Sequence, residues 1–233
     1  MTAPLVPRTR IKICGLTREA DVDAAVEAGA DAIGFVLYAK SPRSVTPQRA
    51  AELAARLPPF VTPVLLFVNE EAPKVMASLT RVAGAIAQFH GDESPAQCQE
   101  SAGAGRFRYM RAARIPLGDA ATGFDLVKYA SDYSHAQAIL LDAHVEGYGG
   151  GGKAFDWSLL PPAVDAHLVL SGGLTPANVS DGIRILRTRC KTLSVDVSSG
   201  VEVDGPGNKG LKDAGKIRQF VAAVRAADAS FSS

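Results

Sequence analysis

Lys12 and Cys14 stand two residues apart near the start of the chain. Strand alternation puts such a pair on one face. A thiol acts as base or nucleophile only as the thiolate, and a free cysteine is largely protonated near neutrality. An ammonium on the same face of an enclosed site would favour the thiolate; the alternative is an inert buried thiol, the commonest fate of cysteine. Cys98 and Cys190 read as inert residues on outer helices or their ends. Three scattered cysteines form neither a disulfide framework nor a CxxC metal site. His90, His135, His144 and His167 show no HExxH-like spacing, so no metal is expected. The other groups suited to proton transfer or anion binding are Asp142, Asp196 and Arg43.

These residues fall at the ends of apolar runs. The runs are Arg10–Cys14, Ala32–Tyr38, Val61–Val68, Ala85–His90, Phe107–Ile115, Ala138–Asp142, His167–Ser171 and Thr192–Val197, the pattern of parallel strands buried on both faces. Between them lie helical patterns. Arg18–Ala28 carries Val22, Ala25 and Val26 on one face, and Pro47–Leu57 follows Thr46 as N-cap. Pro176–Leu186 follows Thr175 in the same way, and Asp213–Ala226 carries an apolar stripe. Strand followed by helix, eight times and without a linker, predicts a (β/α)8 barrel (the TIM-barrel fold, of class α/β). The alternative is an open doubly wound sheet. Residues 1–233 read as one domain, with 1–9 and 229–233 as loose tails.

Active sites of such barrels lie at the C-terminal ends of the strands. Cys14, Arg43, Asn69-Glu70, His90, Asp142 and Asp196 gather there, while the opposite ends are mostly Ala, Pro, Gly and surface charge. That asymmetry predicts an enzyme. Gly172-Gly173 after strand seven and Ser198-Ser199-Gly200 after strand eight occupy the usual phosphate position of the fold, where small residues let backbone N–H groups approach the anion. The alternative is a pair of tight turns. The cluster Gly147–Lys153 satisfies a P-loop spacing only loosely, with Ala154 where a magnesium-binding Ser or Thr is needed. It reads as a flap over the site or as a plain loop.

Taken together, several motifs resemble the phosphoribosylanthranilate isomerase family. They are Lys12-Ile13-Cys14-Gly15, Phe67-Val68-Asn69, Gln88-Phe89-His90-Gly91, Leu141-Asp142, Gly152-Lys153 with Phe155-Asp156-Trp157, Leu170-Ser171-Gly172-Gly173-Leu174 and Asp196-Val197-Ser198-Ser199-Gly200-Val201-Glu202. The resemblance spans nearly the whole chain. It implies an Amadori rearrangement in tryptophan biosynthesis, with Cys14 as general base and Asp142 as general acid. Acting as acid requires protonated Asp142, a form favoured by burial or nearby negative charge. The resemblance also implies that Asp196 holds sugar hydroxyls or the enolamine intermediate, that Arg43 faces the anthranilate carboxylate with its fork, and that Lys12 contacts substrate. His90 and Gln88 read equally as substrate contacts or as a satisfied core pair. The sequence departs from the family at Gly151, where Thr is usual, and in a longer Val203–Leu211 segment.

Three rivals remain. A histidine-pathway isomerase would need a second phosphate site near strands three and four, which end in acidic residues here. A Schiff-base aldolase or indole-forming synthase would need other strand-end lysines. A non-catalytic phosphate binder would not need an acid and a base above the loops. The expected partner is a small phosphorylated aminosugar. Net charge is +1 over 233 residues, with 47% hydrophobic and 21% charged, which suggests neither nucleic-acid nor membrane-surface binding. No apolar run approaches the roughly 20 residues of a bilayer span, and the N-terminus lacks signal-peptide order. A cytoplasmic monomer is expected, with no cofactor, since the rearrangement only moves protons and opens a ring.

Overall fold

The computed structural model describes residues 8–118, 123–143, 156–205 and 207–231. Eight parallel strands close into a barrel in chain order, β1 (Arg10–Cys14), β2 (Ala32–Val36), β3 (Thr62–Phe67), β4 (Ile86–Phe89), β5 (Tyr109–Ile115), β6 (Ala138–Ala143), β7 (Val164–Leu170) and β8 (Cys190–Val197), with β8 pairing back onto β1. The α-helices around it are α1 (Glu19–Glu27), α2 (Pro47–Ala54), α3 (Ala72–Arg81), α4 (Pro95–Ser101), α5 (Leu126–Asp132), α6 (Val179–Leu186) and α7 (Ala214–Ala229).

Alternation along each strand divides the core in two. Ile11 and Ile13 face outward into the large apolar layer between sheet and helices, together with Phe35, Leu65, Phe67 and Phe89. Lys12 and Cys14 take the opposite face. Cys14 packs with Val36, Leu66 and Val68, and a separate small cluster joins Ala112, Leu140 and Val169. The barrel interior is therefore part apolar and part ionic. On the outside, α7 lays Ile217, Phe220, Val221 and Val224 onto the barrel, all buried, each contributing roughly 1.5–3 kcal/mol.

Local sequence sets most helix starts. Thr46 accepts from Arg49 N ahead of Pro47, and Ser94 and Gln97 form a capping box ahead of Pro95. Asp213 caps α7 by accepting from Lys216 N. Two expectations are corrected. The helix expected from Pro176 begins at Val179, because the Asn178 side chain accepts from Thr175 N at 2.8 Å and donates to Gly173 O at 3.0 Å, holding 175–178 as a turn. The strand–helix alternation is also incomplete: between β6 and β7 the described residues hold only a 3-10 turn at Trp157–Leu159. The Gly147–Lys153 cluster lies outside the described residues.

The ends of the described chain are better anchored than expected. Thr9 is buried, and its N and Oγ1 donate to Asp228 at 3.0 and 2.6 Å. Phe231 packs beneath the Arg187 guanidinium. Thr9 and Phe231 are thus part of the packed structure rather than loose tails. Among the described residues no helix is long and apolar enough to cross a membrane.

Candidate active site

Because the strands are parallel, their C-terminal ends open at one mouth, where Cys14, Arg43, His90, Asp142, Gly172, Gly173 and Ser198–Gly200 are found, with Lys12 and Asp196 just inside. The pairing of β1 with β8 sets Lys12 beside Asp196 in register. Lys12 Nζ donates to Asp196 Oδ1 at 2.8 Å, and both side chains are buried. Burial opposes charge on Lys12, but Asp196 and Cys14 together hold its ammonium above the ordinary lysine range. Cys14 follows the reverse balance. Burial pushes its thiol up, Lys12 pulls it down and Asp196 pushes it up again, leaving it above the ordinary thiol range. Lys12 thus favours the thiolate as expected, but burial outweighs it. Gly34 on β2 makes room for this pair: a Cβ there would lie 2.6 Å from Cys14 Sγ and 3.1 Å from Lys12 Cε.

On the other side of the mouth the groups are joined by hydrogen bonds. Asp142 on β6 is buried, its Oδ2 2.9 Å from His90 Nε2. Gln88 Nε2 lies 3.0 Å from His90 Nδ1. An amide NH2 only donates, so in this orientation Nδ1 accepts and Nε2 carries the proton given to Asp142. Gln88 and His90 are thus joined to each other and to Asp142, so the two readings left open by the sequence are not exclusive. The turn that carries His90 is fixed from beneath. Arg111 Nη1 and Nη2 donate to Phe89 O and Gly91 O, each at 3.0 Å, and Glu93 accepts from Asn69 N and Gly91 N at 2.7 and 2.9 Å. Arg111 and Glu93 are a buried ion pair that sequence reasoning missed; apolar neighbours in β5 gave no sign of it.

The loops after β7 and β8 abut. Gly172 and Gly173 both adopt left-handed backbone, φ 73° and 65°, which glycine takes without strain. A Cβ on Gly172 would lie 2.7 Å from Ala143 N and 2.9 Å from Asp142 Oδ1. A Cβ on Gly200 would lie 1.9 Å from Leu174 O. Both small residues are therefore required by close approach, one of them against the carboxyl group of Asp142.

Arg43 departs from the simplest expectation. Its fork already grips a carboxylate of the chain: Nε and Nη2 donate to Glu202 Oε1 and Oε2 at 2.6 and 2.9 Å. Lys212 Nζ donates to the same Oε1 at 3.0 Å and to Ser198 O and Oγ at 3.0 and 3.3 Å. Burial alone would raise Glu202, yet Arg43 and Lys212 hold its carboxyl below the usual range. The Arg43 stem crosses Gly15, where a Cβ would come within 2.6 Å of Cδ. Glu202 belonged to a recognised motif without a role, and Lys212 was not singled out. A carboxylate and a lysine flanking a spare loop look like surface charge until the loop is closed.

A closed parallel barrel with a thiol, a carboxyl group and two small-residue loops at its C-terminal mouth defines a (β/α)8-barrel enzyme. The model of the N-(5'phosphoribosyl)anthranilate (PRA) isomerase family matches residues 11–223, and the chain belongs to this family. It is 59% identical over 222 residues to the N-(5'-phosphoribosyl)anthranilate isomerase of Methylibium petroleiphilum, covering 95% of this chain and 96% of the relative. The phosphoribosyl anthranilate isomerase structure from Thermotoga maritima superposes with a TM-score of 0.79 at 38% identity, covering 94% of this chain and 99% of that one. A structure of a phosphoribosyl anthranilate isomerase in complex with reduced 1-(o-carboxyphenylamino)-1-deoxyribulose 5-phosphate gives a TM-score of 0.72 at 34% identity, covering 94% of this chain and 99% of that one.

Proposed function

We propose that this barrel, acting as a single domain, converts N-(5'-phosphoribosyl)anthranilate into 1-(2-carboxyphenylamino)-1-deoxyribulose 5-phosphate, the isomerisation that belongs to tryptophan biosynthesis. Asp142 gives a proton to the ring oxygen as the C1–O bond breaks, which opens the sugar to an iminium. Cys14 removes the proton from C2, forming the enolamine. The enolamine becomes the aminoketone by gaining a proton at C1 and losing one from the C2 oxygen, so no atom is gained or lost overall.

The observation that carries this reading is the placement of Cys14 and Asp142 at the C-terminal ends of β1 and β6, both buried, beside the loops of β7 and β8. Gly172, Gly173, Ser198, Ser199 and Gly200 would hold the phosphate through backbone N–H groups. Lys12 supports the thiolate as its counter-charge, and Asp196, held by Lys12, is placed to take the sugar hydroxyls. His90 orients Asp142. Arg43 keeps Nη1 outside its pair with Glu202, a donor for the anthranilate carboxylate. The relative crystallised with a reduced carboxyphenylamino-deoxyribulose phosphate supports the same ligand chemistry here.

On this reading the partner is a small soluble phosphorylated molecule and the enzyme works in the cytoplasm. A monomer is the assembly we propose, supported by the scatter of the exposed large hydrophobics among the described residues, Phe60, Val127, Leu159 and Val203, over separate elements. The direct test mixes purified protein with phosphoribosylanthranilate and follows loss of its fluorescence. Catalysed decay is expected. A folded protein that leaves the signal unchanged overturns the function.

A further inference from the structure

Lys212 sits in the loop that closes β8 onto α7, and its side chain is fully buried. Its three ammonium protons meet three acceptors: Glu202 Oε1, Ser198 O and Ser198 Oγ. Its backbone is placed by other means. Residues 202 and 212 form an antiparallel bridge, Val203 N donates to Leu211 O and Asp213 N donates to Val201 O, both at 2.9 Å. Arg18 donates to Lys212 O, and Lys212 N donates to Asp21. The backbone of the 202–213 segment is therefore held without Nζ, which instead ties down Ser198 at the start of the loop. What Nζ also adds is charge. Arg43 and Lys212 share one carboxylate, Glu202, so this buried set of three carries one unmatched positive charge beside Gly15, next to the proposed base. A buried excess charge is costly unless a counter-ion joins it.

We propose that Lys212 is a positioning residue for the carboxylate end of the substrate, competing for Glu202 so that the fork of Arg43 can turn to an incoming anion. This rests on the function proposed above. Without Lys212, the existing bidentate pair of Arg43 and Glu202 would be left neutral and without a competing cation, and a substrate carboxylate would have to draw the fork away from Glu202 unaided. The groups facing Lys212 are Glu202 and Ser198 from its own loop, Arg43 from the loop after β2 and Cys14 from β1, with Arg18 and Asp21 at its backbone. Burial, reinforced by Arg43 and opposed by Glu202 and Cys14, holds the Lys212 ammonium below the ordinary lysine range. Raising the pH thus removes this charge earlier than from a solvent-exposed lysine, and the set goes from one positive charge to neutral.

The test measures KM and kcat for phosphoribosylanthranilate, and competitive inhibition by anthranilate across pH. Lys212→Met should raise KM and the anthranilate inhibition constant about tenfold, on the scale of coupled charges, and should lower kcat by less than that, because Lys212 pulls on Cys14 less than Lys12 does. In the unaltered protein anthranilate inhibition should weaken on the alkaline side, and in Lys212→Met that weakening should vanish. The double variant Glu202→Gln with Lys212→Met frees Arg43 and should recover most of the lost affinity; a merely structural lysine would predict further loss. If Lys212→Met does not fold, Lys212→Gln carries the same expectations. Unchanged KM and inhibition in the single variant, or a double variant worse than the single, overturns the role of Lys212. Absence of turnover in the unaltered protein overturns the function itself, so the two failures are distinguishable.

Discussion

The two sides of the barrel mouth are built by different means. On the β1/β8 side, Lys12, Asp196, Arg43, Glu202 and Lys212 surround Cys14 with buried charges of both signs. On the β4/β6 side, Asp142 is linked through His90 to Gln88 by hydrogen bonds, and the ion pair of Arg111 with Glu93 lies behind the turn that carries His90. The thiol proposed as base is set among charges that stabilise or oppose its anion. The carboxyl group proposed as acid is set against a donor with a fixed orientation. Electrostatics therefore tunes the proposed base, while geometry aims the proposed acid.

The strongest way to break this contrast is to remove either reacting group. Cys14→Ser and Asp142→Asn should each lower kcat by roughly 10²- to 10⁴-fold, with thermal unfolding close to that of the unaltered protein. Near-normal turnover by Cys14→Ser would leave the base unassigned. Lys12→Met comes next. Burial already pushes Cys14 above its ordinary range, so kcat of the unaltered enzyme should climb as pH rises through the alkaline side, where the thiolate forms. Loss of Lys12 removes the main opposing pull, so that limb should move to still higher pH. Asp196 would also be left buried without its partner, at a cost of roughly 3–5 kcal/mol readable by chemical denaturation. On the hydrogen-bonded side, His90→Ala should lower kcat about tenfold, the scale of one lost bond, and should leave the alkaline limb where it was. The smallest effect separates the two phosphate loops. A bulky residue at Ser199 should raise KM alone, whereas one at Gly172 should also lower kcat, because its side chain meets Asp142.

Much of this architecture can be read in the residues themselves. Strands buried on both faces leave near-continuous apolar runs, so all eight are visible, and the polar residue ending a run marks the mouth. Thr46-Pro47 states its helix start openly. Thr175-Pro176 looks the same but is overruled by Asn178, whose amide bonds hold the turn; a cap motif alone does not reveal that competitor. The pairing of Lys12 with Asp196 joins residues 184 positions apart and depends on barrel closure and register, which no local pattern encodes. The sign of Lys12's effect on Cys14 was legible, but burial, which depends on the whole fold, decides the net direction. Arg43 illustrates the remaining gap. A fork suited to a carboxylate was evident, yet its carboxylate in the folded chain is Glu202, 159 positions away just after β8, with Lys212 returned onto it by the loop that follows.

The near-zero clearance between Gly200 and the carbonyl of Leu174 has a mechanical consequence. With no slack at this point, the turns behind β7 and β8 work as interlocked teeth, and a shift of one is passed directly to the other. Adding inorganic phosphate should therefore slow amide hydrogen exchange in both turns at the same concentration, as one event. Trimming Leu174 would not uncouple them, because the tooth is a backbone oxygen.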